Sequence, residues 1–306
     1  MMSLEPIVSI SVSPKSFQTQ QTPMKPEEQI KSLVREKYTV IADQNPDENA
    51  ASCCGVGGCS TIDYAIFASD YSQTMGYVPT ADLKLGCGMP VEFANIHRGA
   101  TVVDLGSGAG NDCFVARALT GEEGMVIGID MTERMIEKAR ENASKLGLGN
   151  VKFRLGEIEN IPMAANKADV VISNCVLNLV PDKEKAFAEV HRILKPGGHF
   201  AISDVVLRGE LPDAIQKAGE MYAGCVSGAI QKRDYLGIVH DLGFQQVSVL
   251  EEKSIELPDE ILSEYLTVSE IERFRSGGTG IFSITVYAVK PSNSTKVACT
   301  PGSGCC

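Results

Sequence analysis

Thr101-Val-Val-Asp-Leu-Gly-Ser-Gly-Ala-Gly110 decides the fold of this 306-residue chain. Thr101 to Leu105 is a short apolar, β-branched run, the composition of a buried strand. Gly106, Gly108 and Gly110 carry no Cβ, so the backbone can turn sharply there and come close to a ligand. Asn111 to Leu119 continues as a helix. A nucleotide-like ligand lies over such a turn, yet the spacing is G-x-G-x-G and not the G-x-G-x-x-G that presents an open helix end to a pyrophosphate. Asp104, two residues before the first glycine, would repel a pyrophosphate and suits a cation. The next strand, Met125 to Ile129, ends in Asp130, where a carboxylate can take both hydroxyls of a ribose.

An acid, a G-x-G-x-G turn and a strand-end acid about twenty residues on resemble the S-adenosylmethionine site of class I methyltransferases. That ligand has a ribose and a sulfonium but no phosphate. The resemblance implies cofactor contacts from Asp104, Gly106, Ser107, Gly108, Gly110 and Asp130, with Met131 packing on the adenosine or simply starting a helix.

Further along, strands and helices alternate. Thr132 caps a helix to about Leu146, Val151 to Leu155 is a third strand, and Asp169 to Ser173 a fourth. Lys183 to Leu194 is a helix stopped by Lys195-Pro-Gly-Gly198, and Phe200 to Leu207 a fifth strand. This alternation predicts an α/β fold, a Rossmann-like parallel sheet with helices on both faces and a small C-terminal subdomain. Helices at Pro212 to Tyr222 and Gln231 to Leu242 and strands near Val247 and from Ile281 to Val289 complete the sheet. On the N-terminal side, Ile30, Leu33, Val34, Tyr38 and Ile41 share one face of a helix from Pro26 that covers a sheet edge. A second helical stretch reaches Met75.

The expected organisation is a disordered leader (1–25), a helical and cysteine-loop region (26–98) and a donor-binding α/β domain (99–210). Helices of the acceptor site and the end of the sheet (211–250), a C-terminal subdomain with the last strand (251–290) and a flexible cysteine-containing tail (291–306) follow.

Composition excludes whole classes. Apolar content of 43% and charged content of 22% are those of a globular enzyme. With 28 basic and 39 acidic residues the net charge is −11, which gives no footing on nucleic acid or an anionic membrane. No apolar run spans a bilayer and no secretory signal is visible, so a cytoplasmic location is expected. Ten cysteines in such a chain point to metal binding or catalysis more than to a disulfide framework.

In an open α/β sheet the ligand sits outside the carboxyl ends of the strands. Asp104, Asp130, Glu157 and Asn174 all fall there, so they converge on one rim, and Cys175 follows Asn174 directly. Whatever Cys175 holds is well placed to receive a methyl group. Cys225 lies in the region that roofs the site, and Cys87 projects from irregular backbone between Gly86 and Gly88. None has C-x-x-C spacing, which rules out a zinc ribbon, but three thiols that meet through the fold could make a pyramidal S₃ site for a soft ion.

Leu85-Gly-Cys-Gly-Met89, Asp104-Leu-Gly-Ser-Gly-Ala-Gly-Asn-Asp-Cys113, Gly156-Glu-Ile-Glu-Asn-Ile-Pro162, Ile172-Ser-Asn-Cys-Val-Leu-Asn-Leu-Val-Pro-Asp182 and Tyr222-Ala-Gly-Cys-Val-Ser-Gly228 resemble the arsenite methyltransferases. So do Leu194-Lys-Pro-Gly-Gly198 and Ile202-Ser-Asp-Val205. The resemblance implies transfer of methyl groups from S-adenosylmethionine to As(III), as arsenite or its thiol conjugates, held by the thiolates of Cys87, Cys175 and Cys225. It also implies a further N-terminal cysteine, Cys54 or Cys59, an adenine pocket lined by Glu157 and Ile158, and a role in arsenic detoxification. Arsenic leaves each transfer oxidised, so a thiol reductant such as glutathione or thioredoxin is expected. Two other readings stay open: a class I methyltransferase acting on carbon or oxygen of a small molecule, and a metalloid-binding protein without turnover. Cys113 reads as a small buried residue, Asp204 as a strand-end cap, and the four histidines show no ligand spacing.

Overall fold

The structure, a computed structural model, describes residues 26–44, 69–216, 226 and 228–292. The leader, Cys54, Cys59, Cys225 and the tail cysteines lie outside the described residues. Helix α1 spans Pro26–Asp43 and a short helix α2 Pro90–Phe93. Then β1 (Thr101–Leu105), α3 (Asn111–Thr120), β2 (Met125–Asp130), α4 (Glu133–Lys145), β3 (Val151–Leu155) and β4 (Ala168–Asn174) alternate. They are followed by α5 (Lys183–Ile193), β5 (Leu194–Arg208), α6 (Asp213–Gln216), α7 (Lys232–Asp241) and β6 (Gln245–Ile255). Two helices, α8 (Asp259–Leu262) and α9 (Val268–Ser276), precede β7 (Gly280–Val289).

The seven strands form one sheet in the order β3-β2-β1-β4-β5-β7-β6. β3, β2, β1, β4 and β5 are parallel, with Val103 opposite Ile127 on one side and Val171 on the other. β7 runs antiparallel to both β5 and β6, so the sheet is mixed and not wholly parallel as expected. β6 and β7 are antiparallel neighbours and so need no crossover, and the segment between them carries α8 and α9. Strand order reverses between β1 and β4, and the crevice outside their carboxyl ends is where such sheets bind ligands.

The β-branched run of β1 works as a two-faced core strand. Val102 packs with Phe114, Val126 and Ile136 on one face, Val103 with Ile127, Val171 and Phe187 on the other. Both valines are fully buried, each contributing about 1.5–3 kcal/mol of hydrophobic stabilisation. Phe187 stands edge-on to Tyr235 at 5.3 Å between ring centroids and tilted to Phe200 at 5.8 Å, which fixes α5 and α7 on that face.

Several boundaries differ from the sequence reading. Lys195-Pro-Gly-Gly198 does not merely stop a helix: α5 ends at Ile193, and β5 starts at Leu194 and carries that tetrapeptide into the sheet. Gly197, at φ 81°, donates to the Lys290 carbonyl while Gly198 accepts from Lys290 N, tying the stretch to the end of β7. Thr132 occupies the first position before α4, but its hydroxyl bonds Asp130 and leaves the helix uncapped by that side chain. The described part of the expected second helix, 69–75, is a series of turns. Gly76, at φ 90°, brings the chain so close to α3 that a Cβ would meet the Phe114 carbonyl at 2.7 Å. Helix α1 does not cover a sheet edge: it lies against α4, with Arg134 Nε 2.6 Å from an Asp43 oxygen and Lys138 Nζ 2.9 Å from the Ala42 carbonyl. β6 runs across the expected division at 250/251. No helix among the described residues is long and apolar enough to cross a membrane.

Candidate active site

The glycine turn adopts the conformation that its composition requires. Gly106, Gly108 and Gly110 have φ of 70°, 49° and 100°, all in the left-handed region. A Cβ on Gly106 would collide with Val176 and one on Gly110 with Phe153 and Phe114, whereas one on Gly108 would meet nothing within 4 Å. The middle glycine therefore faces open space. That space is a cleft of about 1160 Å³, its open mouth included, bounded by the turn, the ends of β2 and β4, and α1.

The turn is not built for a phosphate. Gly106 N and Ser107 N both donate to the Ile129 carbonyl, at 2.7 and 3.0 Å, and Gly110 N donates to the Ser107 carbonyl at 2.9 Å. Gly108 N donates to Asp130 at 3.0 Å. These four amides are spent within the protein, whereas a phosphate cradle needs such groups free. The nearest cation on α1 is spent as well: Lys31 Nζ lies 2.8 Å from Glu157 and bonds Glu159 too. Arg35 also reaches Glu157, at 3.6 Å.

What the cleft offers instead is acceptors. Ser107, Asn111 and Asp112 line it, and their Oγ, Oδ1 and Oδ1 atoms are buried with no protein partner. Asp130 accepts one backbone N–H on each oxygen, from Gly108 and, at 2.8 Å, from Thr132. The Thr132 hydroxyl and the Met131 N–H also approach this carboxylate, so a ribose hydroxyl would share it with them. Burial raises the Asp130 carboxyl, opposed by those backbone bonds. Asp104 is buried beneath the turn, where burial first and the neighbouring Asp112 second hold it well above the carboxylate range, and Cys113 Sγ donates to it at 3.2 Å. Cys113 is thus a fully buried partner of Asp104 in this structure. Met131 and the buried Ile158 supply apolar wall, joined from α1 by Val34 and Tyr38. A ligand with an ammonium group, a ribose and a flat apolar base matches this donor-poor, acceptor-rich set, so S-adenosylmethionine fits the residues present.

Asn174, expected at the cofactor, lines the cleft and is also bonded within the protein. Its Oδ1 accepts from Cys87 N at 3.0 Å and Gly88 N at 3.2 Å. Its Nδ2 donates to the Tyr71 hydroxyl and the Gly88 carbonyl, both at 2.9 Å, and to Asp112 Oδ2 at 3.2 Å. The side chain lines the cleft but is committed to holding the Cys87 loop against the end of β4.

Cys175 comes next, at φ 60°, a left-handed conformation uncommon for a residue with a Cβ and worth about 1–3 kcal/mol of strain. Its N–H is held by the Ser203 carbonyl at 2.8 Å. Cys87 and Cys175 are both buried, in the same apolar cluster, which also takes in Val205, Leu257, Leu266 and Phe274. Both also act on one phenol: burial, then Asp204, then the two thiols raise Tyr235 well above its ordinary value. The Cys87 carbonyl accepts from Ser283 Oγ on β7 at 2.6 Å. The structure therefore puts Cys87 and Cys175 in one buried cluster, and Cys175 also lines the cleft.

Sequence reasoning missed Tyr71, Asp112 and the pair Asp204–Tyr235. An acid in the first turn of a helix reads as an ordinary dipole partner, so Asp112 carried no distinguishing signal. Asp204 does not end its strand. It sits within β5, wholly buried, its Oδ2 accepting from the Tyr235 hydroxyl at 3.3 Å and its Oδ1 from Val205 N at 3.0 Å.

A methyltransferase-domain family model matches residues 96–243. The arsenite methyltransferase of Halobacterium salinarum is 41% identical over 278 residues, covering 87% of this chain and 68% of the relative. That of Aquipseudomonas alcaligenes is 37% identical over 240 residues, 76% of this chain and 67% of its own length. The crystal structure of an arsenic(III) S-adenosylmethionine methyltransferase from Chlamydomonas reinhardtii superposes with a TM-score of 0.58 at 35% identity, covering 68% of each chain.

Proposed function

Given that this chain belongs to the arsenite methyltransferase family, we propose that it methylates trivalent arsenic bound to thiolates of Cys87, Cys175 and Cys225, with a role in arsenic detoxification. The observation that carries this reading is the burial of Cys87 and of the strained Cys175 in one cluster at the edge of the acceptor-lined cleft. Soft thiolates favour a soft ion, and the surrounding Val205, Leu257 and Phe274 keep water from competing for it. Cys225 enters through the family match, as does a fourth cysteine at 54 or 59; these lie outside the described residues.

S-adenosylmethionine, when bound, supplies an electrophilic methyl group that the lone pair of As(III) takes in an SN2 displacement. The residues of the chain serve orientation. Asp130 accepts the ribose hydroxyls, Met131 and Ile158 flank the base, and the glycine turn with Asp104 and Ser107 receives the amino-acid end. Glu157, held by Lys31, closes the adenosine side. No general base is required, because the arsenic lone pair carries no proton, and alignment of two held reactants is worth about 7–11 kcal/mol. Each transfer leaves arsenic at the pentavalent level. Two thiolates then supply two electrons and become a disulfide, which an external thiol such as glutathione or thioredoxin reduces.

The test is methyl transfer from labelled S-adenosylmethionine to arsenite with excess thiol. Cys175→Ser and Cys87→Ser should each lower turnover at least about 100-fold, the scale expected when a reacting group loses its position. Their affinity for S-adenosylhomocysteine should stay that of the wild type. Equal turnover in all three proteins would overturn the thiolate mechanism.

A further inference from the structure

Asp112 has no place in the reaction as derived so far, yet its surroundings are unusual. It is 8% exposed, sits in the first turn of the ten-residue α3, and divides its two oxygens between two sites. Asp112 lines the cleft, and its buried Oδ1 has no partner within the protein, as is true of Ser107 Oγ and Asn111 Oδ1 on neighbouring lining residues. Oδ2 accepts from Asn174 Nδ2 at 3.2 Å, and the Tyr71 hydroxyl, whose proton goes to the Gly88 carbonyl, lies beside this carboxylate. A buried acceptor without a donor costs about 1–3 kcal/mol. A ligand presenting a multidonor cation removes that cost on three atoms together, and the α-ammonium of an amino acid has three N–H groups on one centre.

Beyond Asp112 the bonds lead to a thiol. Asn174 joins Asp112 to the Cys87 loop through Cys87 N and through both the N–H and the carbonyl of Gly88. Tyr71 repeats the link, since its hydroxyl donates to the Gly88 carbonyl at 3.2 Å and accepts from Asn174. The loop packs closely at both of its glycines. A Cβ at Gly86 would collide with the Asn174 amide, and one at Gly88 with the Ser203 side chain at 2.5 Å from Oγ. Asn174 is also the residue before Cys175, so one amide side chain is bonded to the Cys87 backbone and covalently adjacent to the other thiol.

We propose that Asp112 is a positioning residue that binds the α-ammonium of the methyl donor and, through Asn174 and Tyr71, couples donor binding to the readiness of the Cys87 and Cys175 thiols for arsenic. An occupant donating to Asp112 Oδ1 fixes the carboxylate, and the carboxylate fixes Asn174. Asn174 then holds the Cys87 loop in the conformation that receives arsenic. The order imposed by the first ligand is order the second need not impose, so the coupling is positive and, by linkage, equal in both directions. The inference rests on the proposed thiol site and adds a donor-dependent control of it.

The experiment is a calorimetric cycle on the full chain. S-adenosylhomocysteine, which carries the same ammonium but no methyl group to transfer, is titrated with and without saturating phenylarsine oxide as the trivalent arsenical, and the reverse. In the wild type each ligand should tighten the other by the same factor, about five-fold or more. Asp112→Asn should bring that factor below about two and weaken S-adenosylhomocysteine about ten-fold, leaving phenylarsine oxide alone within about two-fold of wild type. A merely structural role would lower both affinities and leave the factor intact. Tyr71→Phe removes one of the two links and should lower the factor partway, which keeps the test open if Asp112→Asn does not fold. A factor of one in the wild type, or an unchanged factor in both variants, overturns the coupling. Failure of wild type to bind phenylarsine oxide at all overturns the thiol site itself, and the coupling with it.

Discussion

The two halves of the cleft are built by opposite means. Most of the donor half comes from one contiguous stretch, 101–132, in which a strand, a glycine turn, a helix start and the next strand end are neighbours both in sequence and in space. The thiol half is assembled from afar. Cys87 precedes the sheet, Cys175 ends β4, and the cluster around them is completed from β5, β7 and the helices α8 and α9. A local unit needs little beyond its own turn chemistry to form, whereas the thiol half exists only once the antiparallel end of the sheet has closed over it. Damage to the first should spoil donor binding selectively, and damage to the second should spoil acceptor binding selectively.

The largest expected break is at Gly106. An alanine there must hold φ near 70° and place its Cβ into the Val176 side chain. Left-handed strain and overpacking together should destabilise the chain by about 2–4 kcal/mol. S-adenosylhomocysteine binding in calorimetry should fall at least about ten-fold and by more than phenylarsine oxide binding, since the turn lines the cleft itself and reaches the thiols only through Val176, the neighbour of Cys175. Gly108→Ala, with the same kind of φ but open space around its Cβ, isolates the strain. It should cost about 1 kcal/mol in chemical denaturation. Equal costs at the two glycines would show that the Val176 contact has no weight.

An intermediate effect should separate the halves by pH. Asp204, in the wall behind the thiols, is raised to about 7, by burial first and against Lys183, Val205 N–H and the Tyr235 hydroxyl. Its folded-state value lies above the ordinary one near 3.8. The folded chain therefore holds a proton that the unfolded chain has released, and the stability from this group is lost as pH rises from about 4 to about 7. Asp112, raised to about 6, adds a similar slope from the donor half. Asp204→Asn cannot ionise, so its melting temperature should exceed that of wild type at pH 8 and match it near pH 4. A constant difference between the two proteins across that range would remove Asp204 as a source of the slope.

How much was legible in the sequence follows the same division. The turn, its flanking strand and helix, Asp130 and the convergence of Cys175 with the strand ends could be read directly, because each depends on residues a few positions apart. The reversal of β7 could not, since nothing in Ile281 to Val289 marks its direction and the β6–β7 pairing is fixed only by what covers it. The bonding of Asn174 and Asp112 was hidden for a different reason. A strand-end amide and a helix-start acid have many ordinary partners, and the ones found here depend on a loop brought in from residue 87. Asp204 was read as a cap although the expected strand, Phe200 to Leu207, already ran past it, because a buried acid inside a strand makes sense only with its partner Tyr235, which α7 brings from thirty-one residues away.

The smallest effect should come from α1, which contacts the donor half from a distant part of the chain. Lys31 is bonded to both Glu157 and Glu159, and Glu159 is 5% exposed, so part of this cluster is buried. The hydrogen bonds and charges of both glutamates raise the Lys31 ammonium, against the effect of burial, which is the largest single influence and lowers it. Exposed ion pairs contribute about 0.2–1 kcal/mol, and the half-exposed Arg35 bond to Glu157 belongs in that range. Lys31→Gln should therefore cost about 1–2 kcal/mol in stability, chiefly through the uncompensated Glu159 carboxylate. Its more informative consequence is for the donor. If α1 helps to form the wall of the adenosine side, Lys31→Gln should raise KM for S-adenosylmethionine about two- to five-fold, leave kcat unchanged, and leave phenylarsine oxide affinity unaltered, the signature of lost uniform binding. A fall in kcat with KM unchanged would instead tie α1 to the alignment of the two reactants. The contiguous donor unit would then depend, like the thiols, on a distant segment of the chain.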